Sequence, residues 1–181
     1  ENAGSESFYN TVKFLKDKGA PIDAIGEQGH IGGSPPAIEY VISRLNHFAE
    51  LGLPIQISEF DITSDDDDFK ARYMHDFMTA IYSHPSVLGM MQWGFWAGAH
   101  WIPAAALWDK DWNLRPEGKA FTQLVSKTWN TNISGTTAKN GEYKVRGFTG
   151  EYETGVSYKR KKLQQPVTLD NNGGSLVLKL E

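Results

Sequence analysis

The chain has 181 residues, a formal net charge of −4 and no cysteine. So mild an acidic balance argues against a nucleic-acid surface, and the missing thiols exclude a disulfide framework and any cysteine-based metal site. No apolar run approaches the ~18 residues of a membrane span, and Glu1-Asn2-Ala3-Gly4 has neither the basic end nor the apolar core of a signal peptide.

Taken in chain order, Ser5 or Ser7 is expected to cap a first helix. Phe8, Val12 and Leu15 lie on its inner face, and Gly19 with Pro21 stops it. Pro21 to Gly26 reads as a short strand that runs into a glycine-loosened loop, Glu27 to Gly33. Ser34-Pro35-Pro36 has the form of a helix start, with Ser34 as cap. Ile38, Ile42, Leu45 and Ala49 mark the buried stripe of that helix, which Gly52 and Pro54 end.

Ile55-Gln56-Ile57-Ser58-Glu59-Phe60-Asp61-Ile62 then has the length and the β-branched composition of a buried strand. A carboxylate in such a strand costs several kcal/mol of desolvation unless it is paired or used. Glu59 and Asp61 near its C-terminal end are therefore candidates for chemistry, the plainer reading being a structural pair. Asp65 to Asp68 favour the positive end of the next helix dipole while staying solvated. Phe69, Tyr73, Phe77 and Ile81 make that helix's inner face. Val87 to Trp93 is the next strand, with Met90-Met91 as its core, and an aromatic loop from Gly94 to Trp101 follows. Pro116 opens the last helix, with Ala120, Phe121, Leu124 and Val125 expected inside. His47, His75 and His84 fall on helices or at a helix end and read as structural or exposed.

Strand, loop and helix recur at roughly thirty-residue spacing, the rhythm of a parallel α/β sheet. Gln28 and His30, Glu59, and Trp93 to Trp101 all fall at the end of a strand or just after it. That is the end of a parallel sheet where such folds do their chemistry. A zinc site from His30, Glu59 and His100 is chemically allowed, but no closely spaced ligand pair supports it, so neither metal nor cofactor is expected.

After Trp129 the composition shifts to Asn, Thr, Ser and Gly, and residues 130–181 are expected to form a small β-rich extension. Its strands are placed at Tyr143–Phe148, Val156–Tyr158 and Ser175–Leu180. Lys159 to Lys162 reads as a solvated turn.

Ile25–His30, Ile57–Ile62 and Gln92–Trp101, in that order and at that spacing, resemble the C-terminal half of a glycoside hydrolase family 10 endo-β-1,4-xylanase. The resemblance covers residues 1–129. It implies the C-terminal part of a (β/α)8 TIM barrel and hydrolysis of xylan with retention of configuration. Under it Glu59 is the nucleophile at the end of strand seven, and His30 and Asp61 support it and keep it ionised. Gln28 faces the sugar next to the scissile bond, Trp93 and Trp101 line the glycone side, and His100 contacts the substrate. Flat tryptophan faces suit the C–H faces of pyranose rings, and glutamine and histidine read hydroxyls.

The family's acid/base glutamate follows an Asn near the end of strand four. Here Glu1-Asn2 has the reverse order and leads into a helix, so it is not assigned that role. Where many members carry Asp-x-x-Ser-Trp-Arg, this chain has Gly98-Ala99-His100-Trp101-Ile102, which resembles a subset of the family. The implied partners are xylan or a xylo-oligosaccharide and the N-terminal half of the barrel, in this or another chain. The implied location is secreted or at the cell envelope. The alternative is a non-catalytic carbohydrate-binding protein that uses Trp93, Trp96, Trp101 and Trp108.

Overall fold

Pro54 and the run of branched residues after it set the centre of a three-stranded sheet. In a computed structural model, which describes the backbone of residues 2–180 and the side chains of residues 5–180, that run is a strand with the expected bounds. Glu1, weighed above as half of Glu1-Asn2, lies outside the described residues. The chain forms α1 (Asn2–Asp17), β1 (Ile25–Ile31), α2 (Ile38–Ala49), β2 (Ile55–Ile62), α3 (Asp67–Ser83) and β3 (Val87–Gln92). A short 3-10 turn (Pro103–Ala105), α4 (Pro116–Gln123) and the antiparallel pair β4 (Gly150–Tyr158) and β5 (Lys161–Leu169) follow. No helix among the described residues is long and apolar enough to cross a membrane.

The strands β1, β2 and β3 lie in that order in one sheet, and both pairings are parallel. Parallel neighbours need a crossover, and α2 and α3 supply the two crossovers. Ile25, Ile55, Ile57, Phe60 and Ile62 are buried together with Leu45 and Phe48 of α2 and Met74, Phe77, Met78 and Ile81 of α3. Phe60 and Phe77 stack with centroids 4.4 Å apart. Each such side chain contributes about 1.5–3 kcal/mol of burial. This layer fixes one face of β2 and leaves the other to the polar residues. Tyr73 donates its hydroxyl to Pro36 O at 3.1 Å and ties α3 to the segment ahead of α2. Burial pushes that phenol up to about 12, so it remains a donor.

Several expectations from local pattern need correction. Ser5 and Ser7 lie inside α1, not at its cap. Ser34 does not cap α2, whose N-cap is Ala37 with no side-chain bond. Pro35 and Pro36 each push the residue before them to extended backbone, so the helix starts beyond them. The stretch Glu27–Ile31, read as loop, is most of β1. Pairing with β2 along its length outweighs its glycines, as tertiary context commonly does in strands. Ile42 is exposed, and Phe48 takes the inner place with Leu45.

The inner face of α4 is also turned from expectation. Val125 is exposed and Glu117 and Gly118 are buried, while Leu124 is buried as expected. Gly118 passes so close to the chain at Leu107 that a Cβ would stand 2.6 Å from Leu107 O. Glu117, fully buried, accepts from Lys70 Nζ at 2.9 Å.

The chain divides into two compact units, residues 1–124 and 125–181. In the second, β4 and β5 pair from Gly150↔Leu169 to Tyr158↔Lys161. Lys159 and Arg160 make the two-residue turn, with Lys159 at φ +54°. Of the three strands expected here, only Val156–Tyr158 falls in one. Tyr143–Phe148 and Ser175–Leu180 are irregular, and Lys161 and Lys162 belong to β5. Hairpin pairing has selected a longer segment than local alternation marks out.

Candidate active site

Strict alternation from Ile55 and Ile57 would turn Glu59 and Asp61 toward the helices and Phe60 and Ile62 away from them. The register prevents this. Glu27 pairs with Ile57, but the next residue, Gln28, pairs with Glu59, which leaves Ser58 as the extra residue of a bulge. The Ser58 hydroxyl donates to Glu27 O at 3.3 Å across the irregularity. Beyond it the parity of β2 is inverted. Phe60 and Ile62 enter the core, and Glu59 and Asp61 come opposite Gln28 and His30.

That opposition is chemical as well as geometric. Gln28 Nε2 donates to Glu59 Oε1 at 3.0 Å. His30 Nε2 lies 3.0 Å from Glu59 Oε2, and His30 Nδ1 lies 2.9 Å from Asp61 Oδ1. An ionised carboxylate only accepts, so an imidazole bonded to two of them must carry both protons. Burial works against that charge, but the hydrogen bonds and charges of Asp61 and then Glu59 outweigh it. The His30 pKa is raised. The Glu59 side chain remains 21% exposed, whereas that of Asp61 is 2% exposed. The first carboxylate can therefore meet a ligand and the second cannot.

The walls come from the end of β3 and the loop after it. Trp93 continues the sheet by donating its backbone N–H to Phe60 O at 2.8 Å. Its ring meets His30 edge-on at 6.2 Å, and the Trp101 ring does so at 5.4 Å. His30, Glu59, Trp93 and Trp101 line a cleft of about 210 Å³. The structure thus gathers Gln28, His30, Glu59, Asp61, Trp93 and Trp101 in one place.

His100 requires a correction, because its side chain is wholly enclosed and so cannot contact a substrate. Its Nδ1 accepts the backbone N–H of Ile102 at 2.9 Å, and its Nε2 faces Asp61 Oδ2 at 3.9 Å. The ring sits against Gly94, where φ is +71° and a Cβ would stand 2.4 Å from His100 Cδ2. A zinc site shared by His30, Glu59 and His100 has no basis in this arrangement. Among the described residues no group of three such ligands is placed for a metal ion.

Sequence reasoning missed three supports of the site. The Trp101 indole N–H donates to Asp61 Oδ2 at 2.8 Å, so this tryptophan braces the buried carboxylate as well as lining the cleft. The turn after Trp101 is held by Lys70 Nζ, which donates to Ala104 O at 3.1 Å. Arg115 holds it too, donating to Pro103 O at 2.7 Å and Ala106 O at 3.2 Å. No local signal marks these contacts, since each partner lies 9 to 40 residues away in sequence. The one hint was a lysine, Lys70, beside the apolar stripe of α3.

A family model described as Glycosyl hydrolase family 10 matches residues 1–126. Anti-sigma-I factor RsgI6 of Acetivibrio thermocellus is 32% identical, over 91% of this chain and 22% of its own length. Endo-1,4-beta-xylanase 1 of Arabidopsis thaliana is 30% identical, over 97% of this chain and 18% of its own. Among solved structures, xylanase 10B from Thermotoga petrophila in complex with xylobiose gives a TM-score of 0.63 at 31% identity. That match covers 71% of this chain and 43% of the other. The chain thus spans about a fifth of these curated relatives and under half of the solved one. The sheet β1–β3 with its helices is accordingly part of a (β/α)8 barrel.

Proposed function

Since the chain belongs to glycosyl hydrolase family 10, we propose that it supplies the nucleophile half of an endo-β-1,4-xylanase that retains configuration. The observation that carries this reading is His30 held between Glu59 and Asp61, at 3.0 and 2.9 Å. An imidazolium there favours the charged form of Glu59, which a nucleophile at neutral pH requires. In the first step a Glu59 oxygen attacks the anomeric carbon and the glycosidic bond breaks, leaving a covalent glycosyl-enzyme. A second carboxyl group about 5–5.5 Å away protonates the departing oxygen, then deprotonates the water that releases the sugar. That group, and the strands that carry it, belong to the front half of the barrel, in the same or another polypeptide. Gln28 orients Glu59 through Oε1 and meets the sugar on the reacting side. Trp93 and Trp101 stack on the rings of the glycone. A relative such as the xylobiose complex supports xylo-oligosaccharides as the ligand class.

The test is Glu59→Gln in a barrel completed by its front half. Turnover of xylan is expected to fall by orders of magnitude while xylo-oligosaccharide binding persists. Near-normal turnover would remove Glu59 from the mechanism. A second reading, a non-catalytic carbohydrate binder, is favoured by one observation: among the described residues Glu59 is the one accessible carboxylate lining the cleft, since Asp61 is enclosed. A completed barrel that binds xylan without cutting it would decide for that reading.

A further inference from the structure

We propose that His100 is a positioning residue for Asp61, a second donor on the carboxylate that holds the His30–Glu59 pair. Its catalytic meaning rests on the nucleophile reading of Glu59, whereas its geometry does not. Because His100 Nδ1 accepts from Ile102 N–H at 2.9 Å, the proton of the neutral ring must be on Nε2. That Nε2–H is buried and has no hydrogen-bond partner within normal distance among the described residues. It faces Asp61 Oδ2 at 3.9 Å, an ion-pair separation that a small shift would close to a hydrogen bond. Buried donors are rarely left unused, so this one marks a contact the fold maintains.

Asp61 needs such a donor. Its Oδ1 is committed to His30, and its Oδ2 holds the indole N–H of Trp101 at 2.8 Å. An ionised carboxylate oxygen has room for a second donor. Trp101 is 63% exposed and lies in the wall of the cleft, within reach of a ligand. His100 is enclosed, and its ring is fixed on both sides, by Ile102 N–H and by the space that Gly94 leaves. It is the donor on Asp61 that an occupant of the cleft does not reach. With Oδ2 held, Asp61 cannot rotate and exchange its oxygens, so Oδ1 remains directed at His30.

The experiment is a pH titration of the ¹⁵N-labelled 181-residue chain in a barrel completed by its unlabelled front half, following the imidazole nitrogens by long-range ¹H–¹⁵N spectra. Neutral His100 is expected as the Nε2–H tautomer. His100→Leu is expected to lower the His30 titration midpoint by roughly half a unit or more. His100→Gln, whose amide can present an N–H at the same place, is expected to keep the midpoint near that of the unaltered chain. An Nδ1–H tautomer, or an unmoved His30 midpoint in the leucine variant, would overturn the proposal. Should that variant not fold, the tautomer in the unaltered chain still decides. None of these measurements uses xylan, so an inactive barrel would sink the xylanase reading and leave this inference standing.

Discussion

His30 carries the charge logic of the site. Its pKa is raised above the ordinary value of 6.5, burial being outweighed by Asp61 and Glu59. A group with a raised folded pKa contributes stability that is fully present below its unfolded pKa and is lost as pH rises through the folded one. Chemical denaturation at a series of pH values is therefore expected to show stability declining through the His30 midpoint on the alkaline side. His30→Asn should lack that decline, and an unchanged profile would show that the imidazolium does not hold the two carboxylates. Gly94 tests the packing around the same pair. Gly94→Ala forces a side chain into φ +71° and into the His100 ring, and overpacking of this kind costs about 1–3 kcal/mol. Urea melts should register that loss, and the fluorescence of Trp101 should change with it.

At the scale of elements, the ends of α3 and the base of the Trp101 turn are held by different physics. Asp66 caps α3 and accepts from Phe69 N at 2.8 Å. Asp66→Ala should cost about 1 kcal/mol, measured by thermal melting, while Asp67 and Asp68 keep the dipole contribution. The Lys70–Glu117 pair is buried on both sides. Lys70→Met leaves a carboxylate without its partner in the core and should destabilise by about 3–5 kcal/mol; adding Glu117→Leu should recover most of it. A double variant as unstable as the single one would mean that the pair acts only through the Ala104 carbonyl. These elements also show what the sequence made legible. β2 could be bounded from its residues because Pro54 and a β-branched run act locally. β1 could not, because its glycine-rich half becomes strand only by pairing with β2. Glu117 looked like a surface residue until a lysine from α3, 47 positions away, was placed against it.

At the scale of the whole molecule, the candidate site was legible as three short motifs, whose Gln28, His30, Glu59, Asp61, Trp93 and Trp101 lie together while His100 is enclosed. The orientation of His100 and the double use of Trp101 were not legible, because both depend on how a loop folds back onto β2. Among the described residues, β1 and β3 each pair on one side only. Leu88 and Met91 of β3 are 68% and 56% exposed. Unpaired edges and bare apolar side chains favour association. We expect the 181-residue chain alone to self-associate in light scattering and to show no measurable xylan hydrolysis, with activity appearing when the front half is added. An active, monodisperse monomer would sink this expectation.

Ser58 makes β2 tolerant, at one position, of a kind of change that substitutions do not sample. Deleting it would remove the extra residue of the bulge, so that Ile57 and Glu59 would alternate plainly, Phe60 keeping the helices and Asp61 the cleft. Deleting Phe60 instead, where no extra residue absorbs the change, would turn Asp61 toward the helices and Ile62 toward the cleft. Exchanging one side chain for another in β2 alters a single position, whereas losing a codon beyond the bulge exchanges oily and charged faces to the end of the strand. Length variation within β2 should therefore be confined to Ser58.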